Sequence, residues 1–423
     1  MHILFLSDNF PPEVNAPASR TFEHCREWVK AGHKVTVITC APNFPQGKVY
    51  SGYRNRLWQR ETMDGIGVIR VWSYITANQG FARRTLDYLS YMITGFLCSL
   101  CVRKVDLVIG TSPQFFTVCA AYVTSMFKRI PFIFELRDLW PDSIKALGAM
   151  RESCVIRFFE KVEAFLYRKA ASIVCVTESF RTVLVERDVP WEKIRVVTNG
   201  VDIQRFQPMK KDPGLVKHYS LEGMCVAGYI GTHGMAHALE TILKAADKIR
   251  KTKEGKKIRF ILLGDGAEKH RLVKSAESME LDNVIFIDSV PKEEVARYWS
   301  LLDVSIIHLK KNELFTTVIP SKLFESMGMG IPILHGVAGE SAEIVTAEKV
   351  GLTFEPENVD ELCEKLLMLK NDPDLYLRLM TRCIEAAKHY DRKALATKML
   401  NILEQYESAE GFPATSGKKI PSK

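Results

Sequence analysis

Short apolar, β-branched runs alternate with helix-length stretches along almost the whole chain, and the series starts twice. In the first half the runs fall near residues 2–8, 34–40, 67–74, 106–112, 130–136, 172–177 and 194–198. In the second they fall near 224–230, 258–263, 284–288, 304–309, 331–335 and 351–354. Runs this continuous in Val, Ile, Leu and Phe describe strands buried on both faces, the condition of parallel strands covered by helices. The pattern predicts an α/β chain of two Rossmann-like domains facing a cleft. Asn199, Gly200 and Asp202, followed by Pro208, interrupt it once and place the boundary at residues 205 and 206. A first domain over 1–205 and a second over 206–390 follow. A helix over 391–410 has no strand after it and is expected to cross back to the first domain. Residues 411–423, with no periodic apolar pattern, are expected to be disordered. The length of 423 residues agrees with two cores, since a single core stops growing beyond about 250–300 residues.

Two stretches break the alternation. Residues 41–62 carry Pro42, Pro45, Gly47 and Gly52 among aromatics and arginines, and are expected to form a long loop. Residues 86–102 (LDYLSYMITGFLCSLCV) are apolar over about the minimum length of a bilayer span. Asp87, Ser90, Thr94, Gly95 and Ser99 argue instead for a helix that covers the first sheet and shows an apolar face to a membrane.

Charge is unevenly distributed. Residues 1–205 hold 27 Lys and Arg against 19 Asp and Glu, whereas residues 206–423 hold 31 of each, so the whole net charge of +8 lies in the first half. Arg83 and Arg84 precede the apolar stretch and Arg103 and Lys104 follow it. This bracketing predicts contact with anionic lipid headgroups, weakened by charge reversal at those four positions. No nucleic-acid partner is expected. The ten cysteines are scattered; Cys98 and Cys101 formally read C-x-x-C but lie in the apolar stretch and are expected to be buried thiols. No Cys/His set has metal spacing and no Asp-x-Asp occupies a suitable loop, so no metal and no cofactor are expected. No secretory segment precedes the first strand, which predicts a cytoplasmic chain, peripherally associated with the membrane.

Parallel sheets bind ligands beyond the carboxyl ends of their strands, so the turns there hold the candidate residues. The first, SDNFPPEVNAPASR (7–20), contains no glycine and leads into a helix expected over 21–31, which excludes a G-x-G-x-x-G dinucleotide fingerprint. The fifth strand releases Arg137 and Asp138 at the cleft mouth, and Arg137 is expected to join Arg83, Arg84, Arg103 and Lys104 in meeting the acceptor and the membrane. The second domain opens on a strand ending in Gly231, Thr232, His233 and Gly234, and its next strand ends in Gly264, Asp265 and Gly266; glycines there let an anionic group approach the backbone. In PSKLFESMGMGIPIL (320–334), Ser321 is a candidate helix cap, but Glu325 stands four residues on, one too far to close a capping box. Lys322 and Glu325 share the first helical turn. A lysine beside helix N-terminal amides suits a diphosphate, and a carboxylate suits two adjacent ribose hydroxyls.

Taken in order, FPPEVNAPASR, ELRDLWPDS, VVTNGVD, YIGTHGMAHALETIL, LLGDG, PSKLFESMGMGIPIL and GVAGESAEIV resemble the retaining GT-B glycosyltransferases of family 4, particularly bacterial enzymes that build O-antigen and capsule repeats on a polyprenyl carrier. The resemblance covers nearly the whole chain. It implies that a nucleotide-sugar donor, UDP-linked with an N-acetylated or deoxy hexose, is held mainly by the second domain. Glu325 stands where the family's ribose carboxylate stands, Lys322 where its diphosphate cation stands, and the 231–234 turn at its diphosphate loop. Thr232 and Ala236 replace an arginine and a lysine, and Thr317 replaces a first carboxylate. The amides of Val318, Ile319 and Ser321 are the substitutes for that carboxylate. Asn15 and Ala16 stand at the donor-facing paired glycines, and Arg137 at a histidine. Glu13 and Asp138 are the candidates to orient the acceptor, and Lys322 to stabilise the leaving diphosphate. The alternatives are a UDP-sugar 2-epimerase of the same architecture and a non-catalytic nucleotide-sugar-binding protein.

Overall fold

The computed structural model describes residues 1–13, 15–44, 46–76, 81–140, 142 and 154–407. Residues 408–410 of the expected last helix, and the segment 411–423 expected to be disordered, lie outside them. Eight strands form the first sheet: β1 (His2–Leu6), β2 (Lys34–Cys40), β3 (Trp58–Met63), β4 (Ile66–Val71), β5 (Leu107–Thr111), β6 (Phe132–Leu136), β7 (Ser172–Cys175) and β8 (Ile194–Val196). Their spatial order is β3-β4-β2-β1-β5-β6-β7-β8. Six form the second: β9 (Cys225–Ile230), β10 (Ile258–Leu263), β11 (Val284–Ile287), β12 (Val304–His308), β13 (Ile333–Gly336) and β14 (Gly351–Thr353), ordered β11-β10-β9-β12-β13-β14. All neighbours are parallel except β3 and β4. β1, β5, β6 and β12 are buried at every residue, as strands covered on both faces must be.

β3 corrects the expectation of a loop through residue 62. Its exposure alternates along Trp58–Met63, and it returns to β4 through Asp64 and Gly65, both at positive φ (49° and 82°). Two successive left-handed residues make the tight hairpin turn that Asp-Gly favours. The first helix also starts earlier than expected, running Ala16–Lys30. Asn15 caps it by accepting from the Ala18 amide at 2.8 Å, and Pro17 occupies its first turn.

The last helix, Arg392–Glu404, packs on the first domain although it follows the second. Leu395, Met399, Leu400 and Leu403 join Phe5, Trp28 and Val197 in one core, and Trp28 Nε1 donates to Ala396 O at 2.9 Å. All ten cysteines are free. Cys98 is buried, but Cys101 is exposed, because it is the last residue of the helix Phe81–Cys101, beyond the packing that covers Cys98.

Candidate active site

In each sheet the chain reverses its winding direction once, between β1 and β5 and between β9 and β12. A crevice opens at such a point because the loops leaving the two strands go to opposite faces. In the second domain those loops carry the candidate donor residues. Gly231 follows β9 and Gly264 follows β10, at φ 146° and 144°. A Cβ on Gly264 would stand 1.9 Å from Gly231 O, so only glycine lets the two loops touch. A Cβ on Gly231 would stand 3.0 Å from Lys322 Nζ. The lysine therefore lies directly against the glycine turn.

Lys322 opens the helix Lys322–Met329, and its Nζ sits 3.8 Å from the centre of the Tyr229 ring. Glu325 is on the same turn. Both are half-buried, and among the described residues neither side chain forms a hydrogen bond or an ion pair. Burial lowers the Lys322 ammonium to about 7, opposed by Glu325. Burial also raises the Glu325 carboxyl, against Arg392, Lys322 and Arg205. Three histidines held neutral stand near the lysine. His233 is fully buried with neither ring nitrogen partnered, and burial, with Lys269 and Lys322, pushes it down to about 4. Burial and Lys322 hold His237 well below its usual range. His308 is pinned between His237 O and the Glu357 amide, both at 2.8 Å. A partly desolvated cation with no hydrogen-bonded anion is suited to an anionic ligand.

The structure brings Gly231, Gly264, Lys322 and Glu325 together, with Thr232 and Gly234 on the rim of the same turn; Thr232 O accepts from Tyr229 OH at 2.8 Å. Other expectations are corrected. Ser321 is itself helical (φ −57°, ψ −29°) and its side chain makes no capping bond. The amides of Leu323 and Phe324 already donate to Pro320 O and Ser321 O. The Val318 amide donates to Phe315 O at 3.3 Å, and Pro320 has none to offer. Of the amides expected to replace the missing carboxylate, those of Ile319 and Ser321 remain. Thr317 turns its hydroxyl to Leu314 O at 2.8 Å, away from that task.

In the first domain, Asn15 is spent as the helix cap, with Nδ2 on Asn9 Oδ1 at 2.8 Å, while Ala16 is exposed beside it. Glu13 is buried; Oε1 accepts from the amides of Asn43 and Phe44 at 2.7 and 2.9 Å, and Oε2 has no partner. Asp138 lies just past β6, where its amide and that of Arg137 donate to Ser112 Oγ. Arg137 is not with the surface arginines. It donates to Pro17 O at 3.2 Å, and its charge faces Glu135, Arg20 and Arg392, because the strand end turns it inward under the first helix. Arg83, Arg84, Arg103 and Lys104 are exposed at the two ends of the helix Phe81–Cys101.

Sequence reasoning missed several groups of the cleft. Asp8, just past β1, has a buried, unpartnered Oδ1, and burial, with Asp87 and Glu13 nearby, pushes its carboxyl up to about 8. Arg20 is buried, pairs with Glu135 at 2.9 Å and donates to Thr198 O and Val197 O. Glu340 crosses from the second domain to accept from the amides of Glu178 and Ser179 at 2.9 and 2.7 Å, at the start of the helix Glu178–Glu186. Lys292 reaches Ser19 Oγ at 3.0 Å, beside the Glu23–Arg392 pair. An isolated charge on a helix or loop was the only signal for each. Among the described residues no cluster of His, Cys, Asp and Glu suits a metal ion.

Two family patterns match the chain. The one described as "Glycosyltransferase Family 4" matches residues 18–205, and the one described as "Glycosyl transferases group 1" matches residues 222–390. A curated relative, the putative colanic acid biosynthesis glycosyl transferase WcaI of Escherichia coli (strain K12), is 25% identical over 384 residues, 86% of this chain and 90% of that protein. The fold is similar to that of sucrose-phosphate synthase from Thermosynechococcus elongatus, with a TM-score of 0.76 at 15% identity over 96% of this chain and 98% of the other. It is also similar to Anabaena Alr3699/HepE in complex with UDP-glucose, with a TM-score of 0.68 at 15% identity over 96% and 100%.

Proposed function

The chain belongs to the glycosyltransferases of the GT-B fold, and on that premise we propose that it moves a hexose from a UDP-sugar to a hydroxyl of a polyprenyl-diphosphate-linked saccharide, with retention at the anomeric carbon, in cell-surface polysaccharide biosynthesis. One observation carries this reading. Lys322 and Glu325 stand on one helical turn with neither side chain hydrogen-bonded among the described residues, and Lys322 lies against the Gly231 turn. Lys322 meets the diphosphate and Glu325 the ribose hydroxyls. As the acceptor oxygen bonds to the anomeric carbon, the carbon–oxygen bond to the diphosphate breaks. The acceptor's proton passes to a departing phosphate oxygen, and Lys322 stabilises the charge that develops there. The fold-level likeness to a protein solved with UDP-glucose supports uridine as the base, and the relative WcaI supports a polysaccharide product.

The buried, unpartnered oxygens of Asp8 and Glu13 suit the hydroxyls of an acceptor sugar rather than its diphosphate. Peripheral membrane contact draws on the helix Phe81–Cys101. Leu86, Ile93, Leu97 and Leu100 are exposed along it, next to Met126 and Phe127 of the helix Phe115–Lys128. Among the described residues no helix is long and apolar enough to cross a membrane. Glu340 and Lys292 hold the domains together over the cleft, which limits water at the reacting carbon.

Thermal-shift titration with UDP, GDP, their sugars and inorganic pyrophosphate tests the site. UDP is expected to stabilise the protein more than GDP. Glu325→Gln weakens UDP binding about 10–100-fold, the value of hydrogen bonds to a charged group, and leaves pyrophosphate binding as it was. Equal UDP binding by the variant contradicts the assignment of the ribose carboxylate. Donor turnover without any acceptor would identify an epimerase instead.

A further inference from the structure

Away from the cleft, a cavity of about 460 Å³ opens at the amino ends of the first-domain strands. His2 of β1, Lys34 of β2 and Gly67 of β4 line it, together with Arg60 of the edge strand and Cys101 and Arg103 at the end of the helix Phe81–Cys101. The active site lies at the opposite strand ends, so this cavity serves another purpose. Its charge is unbalanced. Among the described residues Lys34, Arg60 and Arg103 form no ion pair, and the one acid in the lining, Glu61, is engaged by Arg70 at 2.6 Å. His2 bonds Thr36 Oγ1 at 2.8 Å, and its amide donates to Asp106, which stands behind the lining and is not part of it.

What lies next to the cavity identifies the kind of anion. Leu97 and Leu100 are exposed on the last turns of the helix whose end forms the wall. Met126 and Phe127 extend the same apolar surface, with Phe127 packed 5.2 Å from Phe96 of that helix. Lys128 and Arg129 follow them, Lys128 donating to Val102 O at 2.7 Å. Three cations without an ion pair in a concavity beside an exposed apolar ridge match a phosphate carried on acyl chains. We propose that this cavity, walled by Lys34, Arg60 and Arg103, binds the headgroup phosphate of an anionic phospholipid while the ridge Ile93–Leu97–Leu100–Phe127 enters the acyl boundary. The helix Phe81–Cys101 is 21 residues, about 30 Å, long, with Arg83 and Arg84 at its other end. The headgroup pocket thus fixes the far end of a helix whose near end borders the cleft, and lays the first domain along the bilayer.

The inference rests on the peripheral-membrane part of the proposed function, and its test needs neither donor nor acceptor. The full chain is sedimented with vesicles of phosphatidylcholine alone or mixed with phosphatidylglycerol, and the exposed Cys101 thiol in the cavity wall reports occupancy through its alkylation by iodoacetamide. Retention on the mixed vesicles and protection of Cys101 are expected, with neither on phosphatidylcholine alone. Arg60→Gln/Arg103→Gln is expected to lower retention roughly thirtyfold, the effect of two basic groups at a membrane surface. Its UDP thermal shift should equal that of the natural chain, which shows that it is folded and that the donor site is separate. Inorganic phosphate at millimolar concentration is expected to slow alkylation of the natural chain and not of the double variant. Unchanged retention of that variant, or Cys101 alkylated equally fast with and without mixed vesicles, would overturn the proposal. Protection by inorganic phosphate with none by vesicles would overturn the lipid as its source.

Discussion

Lys322→Met is expected to lower kcat/KM for sugar transfer by about 10²–10³, the loss that follows removal of one preorganised group from a developing oxyanion. UDP and pyrophosphate binding both weaken, unlike in Glu325→Gln, because the lysine meets the phosphates that the two ligands share. The fold does not suffer. In the free protein this ammonium is half-buried over Tyr229 with no carboxylate of the described residues bonded to it, and burial, only partly opposed by Glu325, holds it at about 7, against an ordinary value of 10.5. Between those values the unfolded chain binds the proton that the folded chain releases, so this group's contribution to stability rises with pH across the interval and is least favourable below 7. Replacing it with Met removes that cost, and the melting temperature below pH 7 should rise. Donor binding has the opposite pH dependence. A diphosphate favours the charged lysine, so affinity is full below pH 7 and falls about tenfold per unit above it, with a proton taken up on binding. Calorimetry in buffers of different ionisation enthalpy measures that uptake. Binding that is independent of pH between 6 and 9 would refute the role given to Lys322.

Arg20→Met is expected to have the largest effect on stability, about 3–5 kcal/mol, because it leaves a carboxylate buried without its partner. Arg20 and Glu135 are both nearly inaccessible (side chains 4% and 1% exposed), and Arg20 also ties the strand ends at Val197 and Thr198 to the first helix. Burial pushes the Glu135 carboxyl up, yet Arg20 and Arg137 outweigh it and hold the group below its ordinary value. In the natural chain this carboxylate contributes stability above the unfolded pKa and loses it as pH falls through the lower folded value. In the variant Arg137 remains but Arg20 no longer opposes burial, so the Glu135 carboxyl rises and the loss relative to the natural chain is larger at pH 8 than at pH 5. Chemical denaturation at pH 5 and pH 8 distinguishes the cases, and Arg20→Met/Glu135→Gln should recover much of the loss. A single variant as stable as the natural chain at pH 8 would show that the pair carries no such weight.

The parallel strands were legible because burial on both faces writes itself as an unbroken apolar run, as in Phe132–Leu136. The edge strand Trp58–Met63 escaped because it is half-exposed and carries Arg60 and Glu61, so that only the Asp64–Gly65 turn marked it. Lys322 and Glu325 were legible for a local reason, since three residues of spacing on a helix sets two side chains on one face. Their lack of partners was not, because it depends on which side chains other loops bring near. The same holds for Glu340 against the Glu178 amide, 162 residues away, and Arg20 against Glu135, 115 away.

From sequence alone came the class of fold, two domains, the candidate loops at the strand ends and the placing of a lysine and a glutamate on one helical turn. All of these follow from periodicity, turn residues and short-range spacing, which act within a few residues of chain. Only the tertiary structure decided that the lysine is desolvated and forms no ion pair among the described residues, that the last helix completes the first domain, and that three basic residues from different strands and a helix end surround one cavity. These properties depend on distances between segments far apart in the chain. Packing alone sets those distances.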